Sequence, residues 1–249
     1  MGERGTRDRA LEDSVHQAEQ SGLSADGACR LRDILSRRVD AFRRALRGDP
    51  PARVEPMRVQ LKPQAQAVKA RPRRCDPVKT GWLASCIAAL VAFGLIVWNI
   101  QAVWASPATA VRKRDTFRLV SDYQAVNSQV EQSPGVMPHQ EDMRELLGAK
   151  CFGKLDLLQG YGQMPLAPEA QEVFTIVTPD GLFTPTRVPQ GVLNATSYFQ
   201  GVMTDLLCGL DCKVWVDDVF YFAEDETPLL CLLDEILIRL ESCCCSQPV

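Results

Sequence analysis

The sequence predicts an α+β fold, an antiparallel sheet backed by helices. Two kinds of segment predict it. Short runs rich in Val, Phe, Trp and Tyr, such as Lys213 to Phe222, favour an extended chain. Amphipathic runs of helical period, Asn194 to Leu210 and Leu229 to Leu240, alternate with them. Turn signals join neighbouring extended runs: Pro179-Asp180-Gly181 inside 173–188, and Asp217-Asp218 inside 213–222. An apolar fraction of 46% over 249 residues supports a core, in one large domain or two small ones.

The N-terminal stretch, residues 1–53, is expected to be a polar, helical linker region. Residues 1–23 suit a short helix of low stability. Ser24 can cap a helix from Ala25 to Leu46, with Leu31, Ile34, Leu35, Val39, Phe42 and Leu46 on one face. Gly48-Asp49-Pro50-Pro51 stops it. Val54 to Leu61 alternates apolar and polar and is expected as a strand. Residues 62–78 are basic and contain proline, so an extended linker is expected there.

From Gly81 to Pro107 there is no charged residue. Leu83 to Trp98 is almost wholly apolar, but shorter than the roughly 20 residues a membrane-spanning helix needs. A buried helix is expected, with a membrane anchor over 83–98 as the alternative. Beyond Lys113 the pattern turns to short elements: a strand over Phe117 to Tyr123, a helix over Pro138 to Leu147, a hairpin within 173–188, then a helix, the Asp-Asp hairpin and a last helix.

Net charge is −3 but unevenly spread. Residues 1–75 carry 17 Lys+Arg against 10 Asp+Glu, and residues 76–249 carry 11 against 21. A basic arm before an acidic body fits polyanion contact through the arm, and equally a solvated helical segment. The ten cysteines show no zinc spacing, and no secretory signal opens the chain, so free thiols in a reducing compartment are expected.

The chemistry concentrates in the acids. Asp217 and Asp218 sit amid apolar residues, and no basic residue lies between Lys213 and Arg239. Burying ionised acids costs several kcal/mol unless they are compensated. A cation, or a partner brought in by the fold, is therefore implied. Cys151 to Leu158 is a second mostly apolar run, with Asp156 as its one acid. Three carboxylates at strand ends suit magnesium, and paired magnesium ions suit in-line phosphoryl transfer. A surface hairpin with a solvated Asp-Asp turn is the competing reading.

Several stretches fall in a fixed order: Trp104-Ala105-Ser106-Pro107, Phe117 through Asn127, Lys154-Leu155-Asp156-Leu157-Leu158-Gln159-Gly160-Tyr161, Phe183 through Gln200, and Val214-Trp215-Val216-Asp217-Asp218. Together they resemble the reverse transcriptase of gypsy-type LTR retrotransposons, over about residues 54 to 241. The resemblance implies a right-hand polymerase with fingers and palm, and makes 54–249 a truncated reverse transcriptase domain. It implies a magnesium-dependent nucleotidyltransferase, an RNA-directed DNA polymerase from a retrotransposon polyprotein, acting in the cytoplasm or in retrotransposon particles. Asp156, Asp217 and Asp218 would be the catalytic and metal-binding acids for two Mg2+ ions. Lys113 and Arg118 would grip the triphosphate, Tyr161 would lie under the sugar and select deoxynucleotides, and Gln190 and Gly191 would contact nucleotide and template. The implied partners are an RNA or DNA template-primer and deoxynucleoside triphosphates.

Trp215, Gln124 and Gly162 depart from the family pattern, where Tyr, Arg and a bulky residue are usual. The matching text ends before the family's thumb and RNase H domain. A truncated copy with weak or no activity is expected, or a catalytically dead remnant that binds nucleic acid through the basic arm.

Overall fold

In the computed structural model, which describes residues 2–42, 48–135, 137–138 and 148–243, Ser24 caps a helix as its position suggests. Gly27 N–H donates to its Oγ at 3.0 Å. Helix α2, Ala25–Arg37, buries Leu31, Ile34 and Leu35. It ends earlier than the sequence predicts, passing into a 3-10 turn at Val39–Ala41, and Leu46 lies outside the described residues. The polar stretch before it forms a longer helix than expected, α1, Gly2–Gln20, with Val15 buried.

The chain divides into two compact units, each built from separated segments. The first joins Met1–Leu46, Val136–Gln159 and Gln200–Val249; the second joins Arg47–Gly135 and Gly160–Phe199. The N-terminal helices therefore fold with segments from the chain's far end.

The first unit holds an antiparallel sheet of β4 (Cys151–Asp156), β8 (Asp218–Ala223) and β7 (Cys212–Trp215), in that order. Leu155 pairs with Val219 and Gly153 with Tyr221, which puts these four on one face. That face lies against α8, Glu226–Cys243, which buries Leu230, Leu233, Ile236 and Leu237. Gly153 makes room for the Tyr221 ring, since a Cβ there would stand 2.2 Å from its Cζ and the ring would have to shift. The opposite face is open and carries Phe152, Lys154, Asp156, Asp218, Phe220 and Phe222. Helix α2 is tied to α8 by polar contacts. The Glu226 carboxylate accepts from the Ser24 N–H and hydroxyl, and Arg38 reaches Asp234 (2.9 Å) and Glu241 (3.0 Å). Arg30 bonds Thr227 (2.8 Å) and Arg37 approaches Asp234 (3.4 Å), so several arm arginines already have partners.

The second unit holds a five-stranded sheet in the order β1-β6-β5-β2-β3. Its strands are β1 (Ile96–Trp98), β2 (Ser106–Lys113), β3 (Thr116–Ser121), β5 (Ile176–Thr178) and β6 (Gly181–Pro185). All neighbours are antiparallel except β2 and β5, which run parallel through Ser106↔Ile176 and Pro107↔Val177. The hairpin about Asp180-Gly181 forms as predicted. Under the sheet, Tyr123 sits edge-on to the fully buried Phe174 and donates to its carbonyl at 3.0 Å. Short helices follow β3 and lie between β4 and β5: α4, Gln124–Asn127; α5, Gly160–Gln163; α6, Pro168–Gln171. Helix α7, Ala195–Leu206, begins in this unit and continues into the first from Gln200.

Two expectations are corrected. Val54 to Leu61 makes no strand, only single bridges from Met57 to Leu166 and Leu61 to Val130. Pro56 lacks the N–H a ladder needs. The apolar run splits: α3, Pro77–Ala92, capped by Asp76, stops before Gly94 at φ +68°, and Ile96–Trp98 becomes edge strand β1. Only Leu83 and Ile87 of α3 are buried, so the helix is largely exposed rather than enclosed. Among the described residues no helix is long and apolar enough to cross a membrane. The helix expected over Pro138 to Leu147 lies almost wholly outside the described residues.

Candidate active site

Sheet pairing carries the acids to one corner of the first unit. Asp156 ends β4 directly opposite Asp218, the first residue of β8. Leu157 N–H donates to the Asp217 carbonyl at 2.7 Å, fastening the β7–β8 turn to the strand that bears Asp156. The turn is centred one residue earlier than the sequence suggests: Trp215 pairs with Asp218, so Val216 and Asp217 are its central residues. Val216 adopts φ +52°, a position that turns of this kind usually give to glycine.

The three acids differ in surroundings. Asp217 Oδ1 is buried and has no hydrogen-bond partner. Burial first, then the charges of Asp156 and Asp218, push its carboxyl above the usual carboxylate range. Asp218 has a partner that sequence reasoning missed. Lys154 Nζ lies 2.9 Å from Asp218 Oδ1 and 5.6 Å from the Phe220 ring centroid. The signal was present, since Lys154 is two residues before Asp156 and so shares its face of the strand. A search confined to the neighbourhood of Asp217 in sequence could not find it. Gln200 of α7 was missed as well: its side chain reaches the turn at Val214 and Val216.

Among the described residues no group of three or more His, Cys, Asp and Glu stands ready-made around a metal ion. The donor chemistry still fits one. Asp156 and Asp217 offer hard carboxylate oxygens, and the orphaned Oδ1 of Asp217 lacks the compensation a buried anion requires. These two residues would hold a divalent cation. Asp218, paired with Lys154, stands beside them.

The remaining candidates belong to the second unit. Lys113 on β2 and Arg118 on β3 lie on one face of the β2–β3 ribbon, since Val111 pairs with Arg118 and Lys113 with Thr116. Both are exposed. The other face carries Ala110, Leu119 and Phe117 together with Arg112, and Phe117 there meets Trp82 of α3 at 5.8 Å. Tyr161 packs its ring on Phe199 at 5.2 Å and donates its hydroxyl to Thr196 at 3.3 Å. A Cβ on Gly160 would stand 2.5 Å from Cζ of Phe199, which explains the glycine before Tyr161. Gln190 and Gly191 form an exposed loop, with Gly191 at φ +90°. Asn127 holds the loop, donating to the Gly191 carbonyl (3.0 Å) and accepting from Leu193 N–H (2.9 Å).

An open sheet with acids at a strand end and at its hairpin turn, in one unit, and a basic ribbon in the other match the palm and fingers of a polymerase. The protein belongs to the reverse transcriptase (RNA-dependent DNA polymerase) family, whose model matches residues 111–246. The Pol polyprotein of the gypsy transposon from Drosophila melanogaster is 36% identical over 158 residues, covering 56% of this chain and 15% of the relative. The enzymatic polyprotein of Figwort mosaic virus is 30% identical over 176 residues, covering 68% of this chain and 26% of the relative. The chain thus spans about a quarter or less of those polyproteins. The Pol polyprotein of the Drosophila melanogaster transposon 412 is 30% identical over 124 residues, covering 48% of this chain and 10% of the relative. In fold it is similar to the prototype foamy virus protease-reverse transcriptase, at TM-score 0.84 and 19% identity, covering 97% of this chain and 32% of that one. The foamy viral enzyme in complex with RNA/DNA hybrid gives TM-score 0.83 at 20% identity, over 97% and 32%. The family generally works with divalent metal ions.

Proposed function

We propose that this chain forms the fingers and palm of an RNA-directed DNA polymerase that adds deoxynucleotides to a primer by two-metal nucleotidyl transfer. One observation carries the reading: Asp156, Asp217 and Asp218 converge at one corner of the palm sheet, with a buried, unpartnered carboxylate oxygen on Asp217. Asp156 and Asp217 would hold two Mg2+ ions. When bound, such ions activate the attacking hydroxyl and stabilise the leaving phosphate. Lys113 and Arg118 bring positive charge to the triphosphate, which phosphoryl transfer needs on its non-bridging oxygens. Tyr161, fixed by Phe199 and Thr196, lies under the incoming sugar and disfavours a 2′-hydroxyl. Gln190 and Gly191, fixed by Asn127, contact nucleotide and template. The template-primer is an RNA or DNA duplex held through its phosphates. The site of action is the cytoplasm or a retrotransposon particle.

Primer extension tests this. The chain, given an RNA template, a labelled DNA primer, Mg2+ and deoxynucleoside triphosphates, should add at least one templated nucleotide. Asp156→Asn and Asp217→Asn should add none. Extension by both variants at the wild-type level would remove the assignment. The remnant reading, in which the arm alone binds nucleic acid, has less support, because Arg30, Arg37 and Arg38 already meet groups on α8.

A further inference from the structure

Val216 is the residue whose backbone least suits its side chain. A β-branched residue at φ +52° is a genuine outlier, and such strain persists only when the surroundings over-determine it. Sheet pairing supplies part of the restraint, since Trp215 and Asp218 pair on either side. The rest comes from one side chain. Gln200, only 4% exposed, accepts the Val216 N–H on Oε1 at 2.9 Å and donates from Nε2 to the Val214 carbonyl at 3.0 Å. Nε2 also lies 3.3 Å from Thr204 Oγ1. The amide orientation is fixed by these partners, because an N–H needs the oxygen and a carbonyl needs the nitrogen. A single buried amide therefore spans the last residue pair of β7 and the first residue of the turn. The next residue is Asp217, whose Oδ1 is buried without a partner.

We infer that Gln200 is a positioning residue: it clamps Val216 in the left-handed conformation and so aims the Asp217 carboxylate at the divalent-ion site. The inference rests on the two-metal reading for its consequence and on the hydrogen-bond geometry for the clamp itself. The Gln200 amide bonds the Val214 carbonyl and the Val216 N–H, and so acts on Asp217 through the backbone of the turn. It comes from α7, so the helix sets the geometry of the turn from outside the sheet. Residues that orient metal ligands in this way typically change affinity or activity by about 10- to 100-fold when replaced.

Two measurements decide it, using Mn2+ as the probe. The first is Mn2+ affinity by electron paramagnetic resonance in wild type, Gln200→Met, Val216→Gly and the double variant. Methionine keeps the volume and loses both hydrogen bonds; glycine at 216 removes the need for a clamp. Gln200→Met should bind Mn2+ at least about tenfold more weakly, and adding Val216→Gly should restore most of that loss. The second is hydrogen exchange at the Val216 amide without metal, which should quicken in Gln200→Met. Unchanged affinity and unchanged exchange in Gln200→Met would overturn the inference. So would a loss of affinity that Val216→Gly does not restore, because a purely structural defect would behave that way. If Gln200→Met alone does not fold, a folded double variant supports the clamp and an unfolded one rejects it. Failure of the wild type to bind Mn2+ would remove the two-metal reading, and amide exchange would still decide the clamp.

Discussion

Asp217 sits where burial and two neighbouring carboxylates oppose its charge, so its carboxyl is raised above its ordinary value of 3.8. The folded chain therefore binds this proton more tightly than the unfolded chain. Stability falls as pH rises from 3.8 through the raised value, and the cost persists above it. Metal-free Asp217→Asn should accordingly melt above wild type at neutral pH, and the gap should close as the pH is lowered towards 3.8. Divalent ions should raise the melting temperature of wild type only, since they bind its folded state. Lys154 works in the opposite sense. It supplies positive charge beside Asp218, so Lys154→Gln should tighten Mn2+ binding by about 1 kcal/mol, roughly fivefold, in a calorimetric titration at low salt. Unchanged binding would mean solvent already screens the pair. The acids were legible in the sequence because three carboxylates set in apolar runs demand compensation. Lys154 and Gln200 were not, because each reaches the turn only through strand register or helix docking, which no local pattern encodes.

At the scale of elements, α8 is held both by its apolar stripe under the palm sheet and by polar contacts from α2. Ser24 joins the two helices, capping one and binding Glu226 of the other. Ser24→Ala should cost about 1 kcal/mol in denaturant unfolding, the usual loss for a cap. The Ser24 hydroxyl, then its N–H, hold the Glu226 carboxyl below its ordinary value of 4.5. That contribution is present above 4.5 and lost as pH falls below it, so the difference between Ser24→Ala and wild type should narrow in acid. The cap, the hairpin at Asp180-Gly181 and the final helix could be read directly, because each has a local signal. The apolar run from Leu83 to Trp98 misled for a physical reason: composition reports burial or membrane affinity, and cannot say that Gly94 will break the run into a helix and an edge strand. Val54 to Leu61 misled because alternation alone does not supply a neighbouring strand.

For the whole molecule, the two units interleave in sequence, and this gives the palm its acids. Segment Val136–Gln159 delivers Asp156, and segment Gln200–Val249 delivers Asp217 and Asp218, with an entire stretch of the other unit between them. A protein assembled this way cannot form its acidic corner before distant segments meet, and Ile236 of α8, essentially inaccessible, marks the core of that unit. Ile236→Ala should destabilise the palm by about 2–5 kcal/mol and weaken metal binding without touching any acid. The central claim is that Asp156 and Asp217 serve one site. Its most direct measurement is a Mn2+ titration of wild type, Asp156→Asn, Asp217→Asn and the double variant under one set of conditions. A shared site requires each single substitution to lose most of the affinity and the double to lose little more. Two singles that each retain wild-type affinity, or losses that simply add, would show that the acids do not share an ion.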